Sequence, residues 1–559
     1  MKKKKFDASE YFLLFIVLFF SIGYILFPLY TLVSSALNDG NGNFGFSNFL
    51  NAFTKTTFQA AINSILLSLI TVALSGITGL VFAYILHFQR IRTKSFFSSL
   101  LMIPLATPPL IGVVSFLFLL NEKGLLANLL ELVFKHNELS FKFDGWSAIV
   151  IVHVYSFFPL FYLFTSSALK RIDSNLIDAS YSLGASKTLT FFKVILPLLI
   201  PSVVGASLIT FMASMASFSA PFIFGGSERF LTTEIYFAKI NGDNSLASSI
   251  AVLLTIISII FFILLRRYRT GKLFDIRHKG VPRTDFSSHR SQTSISGTII
   301  ISLFSLMLIL PVFTLLYLSF IPEGSLMRNF LSESFTPENY LKIFSEPQFF
   351  EPFYNSLMMS LIAVLITLIA GISSAYLIAK VNTKFKSIIE NIVSIPYGIP
   401  GTVIALSLIL SFNKPVLFGA FTPLVGTFII IPLAYSIRNI PILMQSSMSG
   451  FYSLDPSLEE ASFSLGAGKM TTFGKVIFPL IFPSVLNGAL LVFINSAGEF
   501  VSTILLYSYS TKTISVEIYS QIRMYNTGAA AAYGMLLFAV VMAVVYVSRK
   551  TIDKSITGI

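Results

Sequence analysis

The chain has 559 residues, of which 54% are hydrophobic and 12% are charged, and its formal net charge is +13. A soluble domain of this length would carry about 25% charged residues, so the composition excludes a soluble globular protein and indicates a polytopic membrane protein. Cysteine is absent and the 5 histidines are scattered without ligand spacing, which excludes disulfides, thiolate metal sites and cysteine nucleophiles.

Twelve apolar runs are long enough to cross a bilayer as helices, which takes about 20 residues. The six predicted spans of the first half are Tyr11–Leu32, Ala60–Leu86, Phe96–Leu120, Trp146–Leu169, Val194–Gly226 and Leu246–Leu265. The six of the second half are Ile295–Ile321, Phe353–Ala379, Asn391–Phe412, Val416–Ile437, Val476–Leu506 and Ala529–Val547, which leaves Arg438 at a helix end. Several runs contain proline and exceed one span, so we expect broken or kinked helices there.

The positive charge indicates sidedness. Lys2–Lys5 resemble the start of a signal peptide, but the apolar run that follows exceeds the usual length of about 7–15 residues, so we expect an uncleaved first helix. With both termini cytoplasmic, most of the 39 lysines and arginines fall on the cytoplasmic side. We therefore expect no nucleic-acid partner. The predicted units are a first repeat (residues 1–266), a basic cytoplasmic linker (267–294) and a second repeat (295–559).

Two polar segments between the fourth and fifth predicted spans are nearly identical. The first repeated segment (residues 173–204) and the second (residues 455–486) align at an offset of 282, with 19 of 32 positions identical. Each reads as a short helix capped by an aspartate, ended by a glycine and followed by a second helix. Shorter matches lie upstream at an offset of 292, where Asn63-Ser64, Ala83-Tyr84, Ile103-Pro104 and Pro108 recur as Asn355-Ser356, Ala375-Tyr376, Ile395-Pro396 and Pro400.

The repeated segments resemble the coupling loop of permeases in binding-protein-dependent ABC importers, which reads Glu-Ala-Ala, three variable residues, Gly, and then Ile-x-Leu-Pro. The matching first-segment residues are Asp178, Ala179, Ser180, Gly184 and Lys187, and those of the second are Glu460, Ala461, Ser462, Gly466 and Lys469. Asp178 stands where the family has Glu, and serine replaces the second Ala in both copies, so the symmetry of the two loops is in doubt.

The resemblance implies an all-α fold of the type I ABC importer permease class, with about 12 transmembrane helices in two parallel six-helix repeats. It also implies a bacterial inner-membrane location, two ATP-binding subunits that receive the loops, and an extracytoplasmic solute-binding protein. No cofactor is implied. The structural alternative is that the segments merely connect helices, but such connectors would drift in sequence.

The chain is expected to contribute no catalytic or metal-binding residue. Gly466-Ala467-Gly468-Lys469 looks like part of a phosphate loop, but Met470 stands where Ser or Thr is required and Phe463 where the first glycine is required. ATP hydrolysis is therefore assigned to partner subunits, and the chain is not expected to be an enzyme.

Glu499 is the carboxylate predicted within an apolar span, where ionisable groups often mark solute paths. Glu499, Asn495 and Ser217 are candidate pathway residues, although a structural role for Glu499 remains an alternative. His153 is interpreted as a packing residue.

Gly498-Glu499-Phe500 resembles the permease branch for ferric iron, molybdate, sulfate, thiamine and polyamines, and a fused two-half chain favours ferric iron. The alternatives are thiamine, 2-aminoethylphosphonate or a polyamine as the cargo. A further alternative is an ion-coupled secondary transporter with 6+6 helices, which would not explain the twin segments.

Overall fold

The structure is a computed structural model that describes residues 7–38, 45–89, 91, 93–122, 124–128, 143–270, 295–322, 335–381 and 385–557. Every regular element in these ranges is a helix. Lys2–Lys5 and residues 271–294, which form most of the predicted linker, lie outside the described residues.

The first half contains eight helices that matter for the argument. They are α1 (Ala8–Leu37), α2 (Lys55–Phe88), α3 (Pro109–Leu120), α4 (Gly145–Leu169), α5 (Ser174–Ser182), α6 (Lys187–Met215), α7 (Leu231–Ile240) and α8 (Asn244–Thr270). Shorter helices are Ser47–Asn51, Lys94–Leu100, Ile103–Ala106 and Ser219–Phe224. Both α1 and α6 contain a π-helical turn, at Ser21–Leu26 and Phe191–Ile195.

The second half repeats this order. Its helices are α9 (Ile295–Ser319), α10 (Pro347–Ala379), α11 (Gly401–Phe412), α12 (Ile430–Tyr452), α13 (Pro456–Ser464), α14 (Lys469–Ala497), α15 (Ile514–Arg523) and α16 (Thr527–Thr557). Shorter helices are Glu338–Ser345, Lys386–Ser394, Ile395–Gly398, Leu417–Gly419, Thr503–Leu506 and Tyr509–Thr511. The helix bounds of the two halves correspond at constant offsets. The bounds of α3 and α11 lie 292 residues apart, and those of α5 and α6 lie 282 residues before those of α13 and α14.

Ten helices of the described residues are long and apolar enough to cross a membrane, or eleven if the bent pair Lys386–Gly398 and Gly401–Phe412 is one span. The predicted span Val416–Ile437 is wrong in its bounds, because α12 begins only at Ile430 and continues to Tyr452. The apolar stretch misleads because α12 is buried against protein along most of its length, and a buried helix can carry polar residues that lipid would not tolerate.

The long helices have polar inner faces and apolar outer faces. In α2 the buried side includes Ser68, Thr71 and Ser75, whereas Leu69 and Ile77 on the other side are exposed. Helix α10 shows the same division. Lipid chains are as apolar as leucine, so membrane helices associate through small residues and short hydroxyls that permit close packing. The arrangement therefore matches a bundle surrounded by lipid.

The first helix of each half packs against the other half. Helix α1 contacts α10 and α11, and the Tyr24 hydroxyl donates to the backbone oxygen of Phe418 at 2.8 Å. Helix α9 reciprocally packs on α3. This exchange joins the two halves into one body.

The repeated Asn-Ser pairs hold the loops that precede α7 and α15. Ser64 accepts a hydrogen bond from the amide of Leu231 at 3.0 Å, and Ser356 accepts one from the amide of Ile514 at 2.8 Å. The neighbouring Asn63 and Asn355 donate to loop carbonyls. Each pair thus fixes the beginning of α7 or α15 onto the long helix beside it.

A close helix contact generates a stability prediction. A methyl group at Gly79 would lie 2.5 Å from the Phe161 Cβ and 2.8 Å from backbone atoms of α4, whereas one at Gly112 would meet nothing within 4 Å. We expect Gly79→Ala to lower the free energy of unfolding by about 1–3 kcal/mol through overpacking. Gly112→Ala, the matched control, should be neutral or gain up to about 1 kcal/mol from helix propensity.

The measurement is thermal or denaturant unfolding of the purified chain in one detergent for both variants. Equal stability of the two variants would contradict the close approach of α2 and α4. The second half offers an independent repeat at Gly371, whose added methyl would lie 3.0 Å from Leu443.

Candidate functional site

The first helix of each repeated segment has the predicted aspartate cap. Asp173 accepts from the amide of Asn175 at 3.0 Å and begins α5, and Asp455 accepts from the amide of Ser457 at 2.9 Å and begins α13. The backbone amide of Ser457 holds the pKa of Asp455 below its ordinary value, because the hydrogen bond favours the ionised carboxylate. Both helices therefore have a fixed starting point.

The glycines end these helices as the sequence indicates. Gly184 and Gly466 both have φ of +84°, a left-handed conformation that other residues adopt only with strain. The residues just before them, Leu183 and Leu465, are each 89% exposed. Each repeated segment therefore carries an exposed leucine on a glycine-turned tip, in the same geometry in both halves.

The serines that replace the second alanine have a structural role that sequence reasoning missed. The Ser180 hydroxyl lies 2.9 Å from that of Thr190, and the Ser462 hydroxyl lies 2.9 Å from that of Thr472. This bond closes the turn between the short helix and the next one. The recurrence of both partners at an offset of 282 is the signal that could have revealed it.

The other predicted residues of these segments lie around the same turns. On the short helices Ala179, Glu460 and Ala461 are exposed and Asp178 is half-buried. At the starts of α6 and α14, Lys187 is exposed and Lys469 is half-buried.

Tyrosines connect the repeated segments to the long helices. The ring centroids of Tyr84 in α2 and Phe191 in α6 are 5.2 Å apart, and those of Tyr376 in α10 and Phe473 in α14 are 5.7 Å apart. Both pairs meet nearly edge to face, at 82° and 86°. Movement of a tip would thus be passed to two membrane helices in each half.

The two segments differ in their ionic contacts. Lys469 contacts Asp7 at 2.6 Å and Glu10 at 2.9 Å, so the second segment is attached to the start of α1. Lys380 also pairs with Glu459 at 2.7 Å. At the position of Glu459 the first segment has a buried isoleucine, and its Lys187 has no ion pair within the described part of the chain.

A cavity of about 380 Å³ lies between the halves. Breaks in four helices line it, two from each half: Pro104–Pro109, Ala216–Ser219, Pro396–Ile399 and Gly498–Val501. Helix breaks within a membrane are tolerated where the freed backbone groups face protein or a water-filled space. Of the repeated prolines noted in the sequence, Pro104, Pro108 and Pro396 lie at the wall of this cavity.

All three candidate pathway residues line the cavity. Ser217 lies 2.9 Å from Nε2 of His153, and the Asn495 side-chain amide donates to the Asn439 oxygen at 3.2 Å. His153 is buried and its other ring nitrogen lies 3.2 Å from two hydroxyls, so it is a satisfied packing residue that also borders the cavity.

Glu499 is paired with an arginine that the sequence interpretation placed wrongly. The Arg438 Nη1 donates to the Glu499 Oε1 at 2.8 Å, and the carboxylate also accepts from the amides of Ser502 and Thr503. Arg438 lies within α12 and not at a helix end. The repeat itself held the signal, because an offset of 282 aligns Arg438 with Ser156 in the middle of a predicted span.

Comparison with known proteins places the chain among transport proteins. The model of the family described as binding-protein-dependent transport system inner membrane component matches residues 75–270 and again 367–558. The chain is 27% identical over 554 residues to a ferric transport system permease protein of Actinobacillus pleuropneumoniae, covering 98% of this chain and 78% of the relative.

Two further relatives show the range of the similarity. A putative ferric transport system permease protein of Haemophilus influenzae is 26% identical, over 92% of this chain and 80% of its own. A molybdate/tungstate transport system permease protein of Methanocaldococcus jannaschii is 32% identical, over 34% of this chain and 78% of its own.

The ionic attachment of the second segment generates a matched test. We expect Lys469→Gln to speed backbone hydrogen exchange at the start of α1 by about two- to fivefold, the range for partly exposed ion pairs. Lys187→Gln, at the same position of the other segment, should leave that exchange unchanged. Peptide-resolved hydrogen–deuterium exchange mass spectrometry of the purified chain measures both.

The pH dependence follows from Asp7. Its hydrogen bond with Lys469 lowers the pKa of the carboxyl below the ordinary value, so Asp7 stays ionised from neutral pH down through the usual aspartate range. The attachment is lost only when acidification reaches the lowered pKa. The difference between the Lys469 and Lys187 variants should therefore persist from pH 8 to pH 5 and shrink in high salt. A difference that vanishes near pH 6 would contradict this pairing.

Proposed function

The chain belongs to the family of binding-protein-dependent transport system inner membrane components and is a multi-pass permease of an ABC importer, and we propose that its cargo is ferric iron. The observation that supports a ferric cargo is the similarity, over nearly the whole chain, to two permeases named for ferric transport. Thiamine, 2-aminoethylphosphonate and polyamines have no comparable support.

Two ATP-binding subunits dock on the two repeated segments. The support is the pair of matching tips, each with an exposed leucine held by a capped helix and a glycine turn. An exposed leucine on one tip is ordinary, but the same leucine with the same exposure on two equivalent tips fits a partner that binds twice. Asp178, Ala179, Glu460 and Ala461 provide the surrounding surface.

The segments transmit movement because they are rigid. The hydroxyl bonds within each turn and the tyrosine contacts to α2 and α10 leave few internal joints. Closure of the two ATP-binding subunits would bring the tips together, and the two halves would rotate as bodies around the cavity between them. Hydrolysis would restore the first state.

A solute-binding protein docks on the opposite side, above the loops that Asn63 and Asn355 hold. In this orientation the repeated segments and both termini are cytoplasmic. The contact between Lys469 and Asp7 supports a shared side for the N-terminus and the second segment. Solute released from the binding protein enters the central cavity, which Glu499, Asn495 and Ser217 line.

Cross-linking tests the docking surface directly, since the natural chain has no cysteine. A single cysteine at Leu183 or at Leu465 should cross-link to an ATP-binding subunit in native membranes, and mass spectrometry should identify a nucleotide hydrolase in both adducts. A cysteine at Leu303, which is 60% exposed on α9, is the control and should capture none. If neither the Leu183 nor the Leu465 cysteine adduct contains a nucleotide hydrolase, the docking proposal is wrong.

Substitution of the turn glycines tests transmission. Gly184→Asp and Gly466→Asp place a residue with a side chain in the left-handed backbone conformation, at a cost of roughly 1–2 kcal/mol of local strain. We therefore expect iron uptake per ATP hydrolysed to fall at least about tenfold. Gly468→Asp is the matched control, because Gly468 has φ of −73° and is the N-cap of the next turn.

The assay is ATP-dependent uptake of radioactive ferric iron into membrane vesicles with the binding protein present. Normal uptake by both turn variants at normal expression would contradict the role of the tips. Uptake by the natural chain that persists without ATP but stops with an uncoupler would instead identify an ion-coupled transporter.

A further inference from the structure

Among the described residues, the central cavity is lined by charged side chains from one half only. The charged side chains that line it are Arg438 and Glu499, both from the second half. The first half has Ser156 and Ser217 at the equivalent positions, 282 residues earlier. One wall thus has an ion pair where the other has two serines, so the two walls offer a solute different chemistry.

Protein donors already occupy most of the acceptor sites of the Glu499 carboxylate. An ionised carboxylate offers about four acceptor sites. Glu499 receives hydrogen bonds from Arg438, from the amides of Ser502 and Thr503 and from the Thr503 hydroxyl, at 2.8 to 3.2 Å. Its side chain is 4% exposed. The carboxylate therefore acts as a buried anchor.

Arg438 is the member of the pair that faces the space. Its side chain is 35% exposed, against 4% for Glu499. A guanidinium carries five N–H donors, and the hydrogen bonds found within the described ranges use one nitrogen of Arg438, on Glu499. Gly401 makes room for this arrangement, because an added methyl there would lie 2.9 Å from the Arg438 Nη1.

A solute in the cavity thus meets hydrogen-bond donors and positive charge. Pores lined by acidic side chains select cations, and pores lined by arginine or lysine select anions and phosphate. The planar guanidinium group also matches the geometry of anionic oxygens. We propose that Arg438 is the solute-contacting residue of the cavity and that it receives anionic oxygens. This inference rests on the proposed ferric cargo: the iron crosses with anionic oxygen ligands attached, and the bare hydrated cation is disfavoured.

Charged thiol reagents measure this potential without any partner protein. Asn495 is exposed at the cavity and its neighbour Asn439 adjoins Arg438 in the chain, so Asn495→Cys in the cysteine-free chain is the reporter. Anionic sulfonatoethyl methanethiosulfonate and cationic trimethylammonioethyl methanethiosulfonate are compared by their reaction rates, each divided by its rate with a small free thiol. We expect a normalised preference of about threefold or more for the anionic reagent, from the nearby charge.

Substitutions at the pair separate charge from folding. In the reporter background Arg438→Lys should keep the anionic preference, and Arg438→Gln should abolish or reverse it. The double variant Arg438→Gln with Glu499→Gln is uncharged and should bring the normalised ratio close to one. If Arg438→Gln does not fold, the ratio in the reporter with Arg438 intact decides by itself. A preference for the cationic reagent there would overturn the proposal.

Iron uptake gives a second, distinguishable readout. With Asn495 intact, Arg438→Gln should reduce ATP-dependent uptake of radioactive ferric iron at least about tenfold, whereas Arg438→Lys should retain more of it. Uptake unaffected by Arg438→Gln would show that the cargo does not use this residue. If the natural chain imports no iron while the Asn495→Cys reporter still favours the anionic reagent, the ferric cargo is overturned and the anion-accepting cavity stands.

Discussion

The fold depends on one constraint: every backbone N–H and C=O group within a bilayer needs a partner from the protein or from enclosed water. The constraint explains why every element of the described chain is a helix. It also explains where helices break. Residues of the four breaks at Pro104–Pro109, Ala216–Ser219, Pro396–Ile399 and Gly498–Val501 line the central cavity. The cavity and the irregular backbone therefore share a location for the same physical reason.

The two halves share the same turns and helix contacts but differ in charge. Caps, turn glycines, serine–threonine bonds and tyrosine contacts recur in both repeated segments. The ion pairs that Lys380 and Lys469 make, and the pair of Arg438 with Glu499, have no counterpart at the equivalent described positions of the first half. The turns of the two segments are thus symmetric, while the ion pairs at the cavity and at the second segment are not.

Buried polar side chains make some membrane helices hard to identify from hydropathy in the sequence. Helix α12 carries Arg438 and Asn439 and its apolar signal is weak, because its polar residues find partners in neighbouring helices. Helix α2 hides serine and threonine and exposes leucine, the reverse of a soluble helix. Polar side chains are acceptable in both cases because a specific partner replaces water, and that partner lies far away along the chain.

The sequence by itself determined the local features. Apolar length predicted the spans other than Val416–Ile437, Asp173 and Asp455 predicted the helix starts, and Gly184 and Gly466 predicted the helix ends, because each depends on residues within a few positions. It also determined that the two segments are twins. Only the tertiary structure decided that Glu499 pairs with Arg438, that Lys469 meets Asp7, and that Ser217, Asn495 and Glu499 line one cavity. Those outcomes depend on which helices pack together, and no local pattern encodes contacts between residues 61 or 462 positions apart.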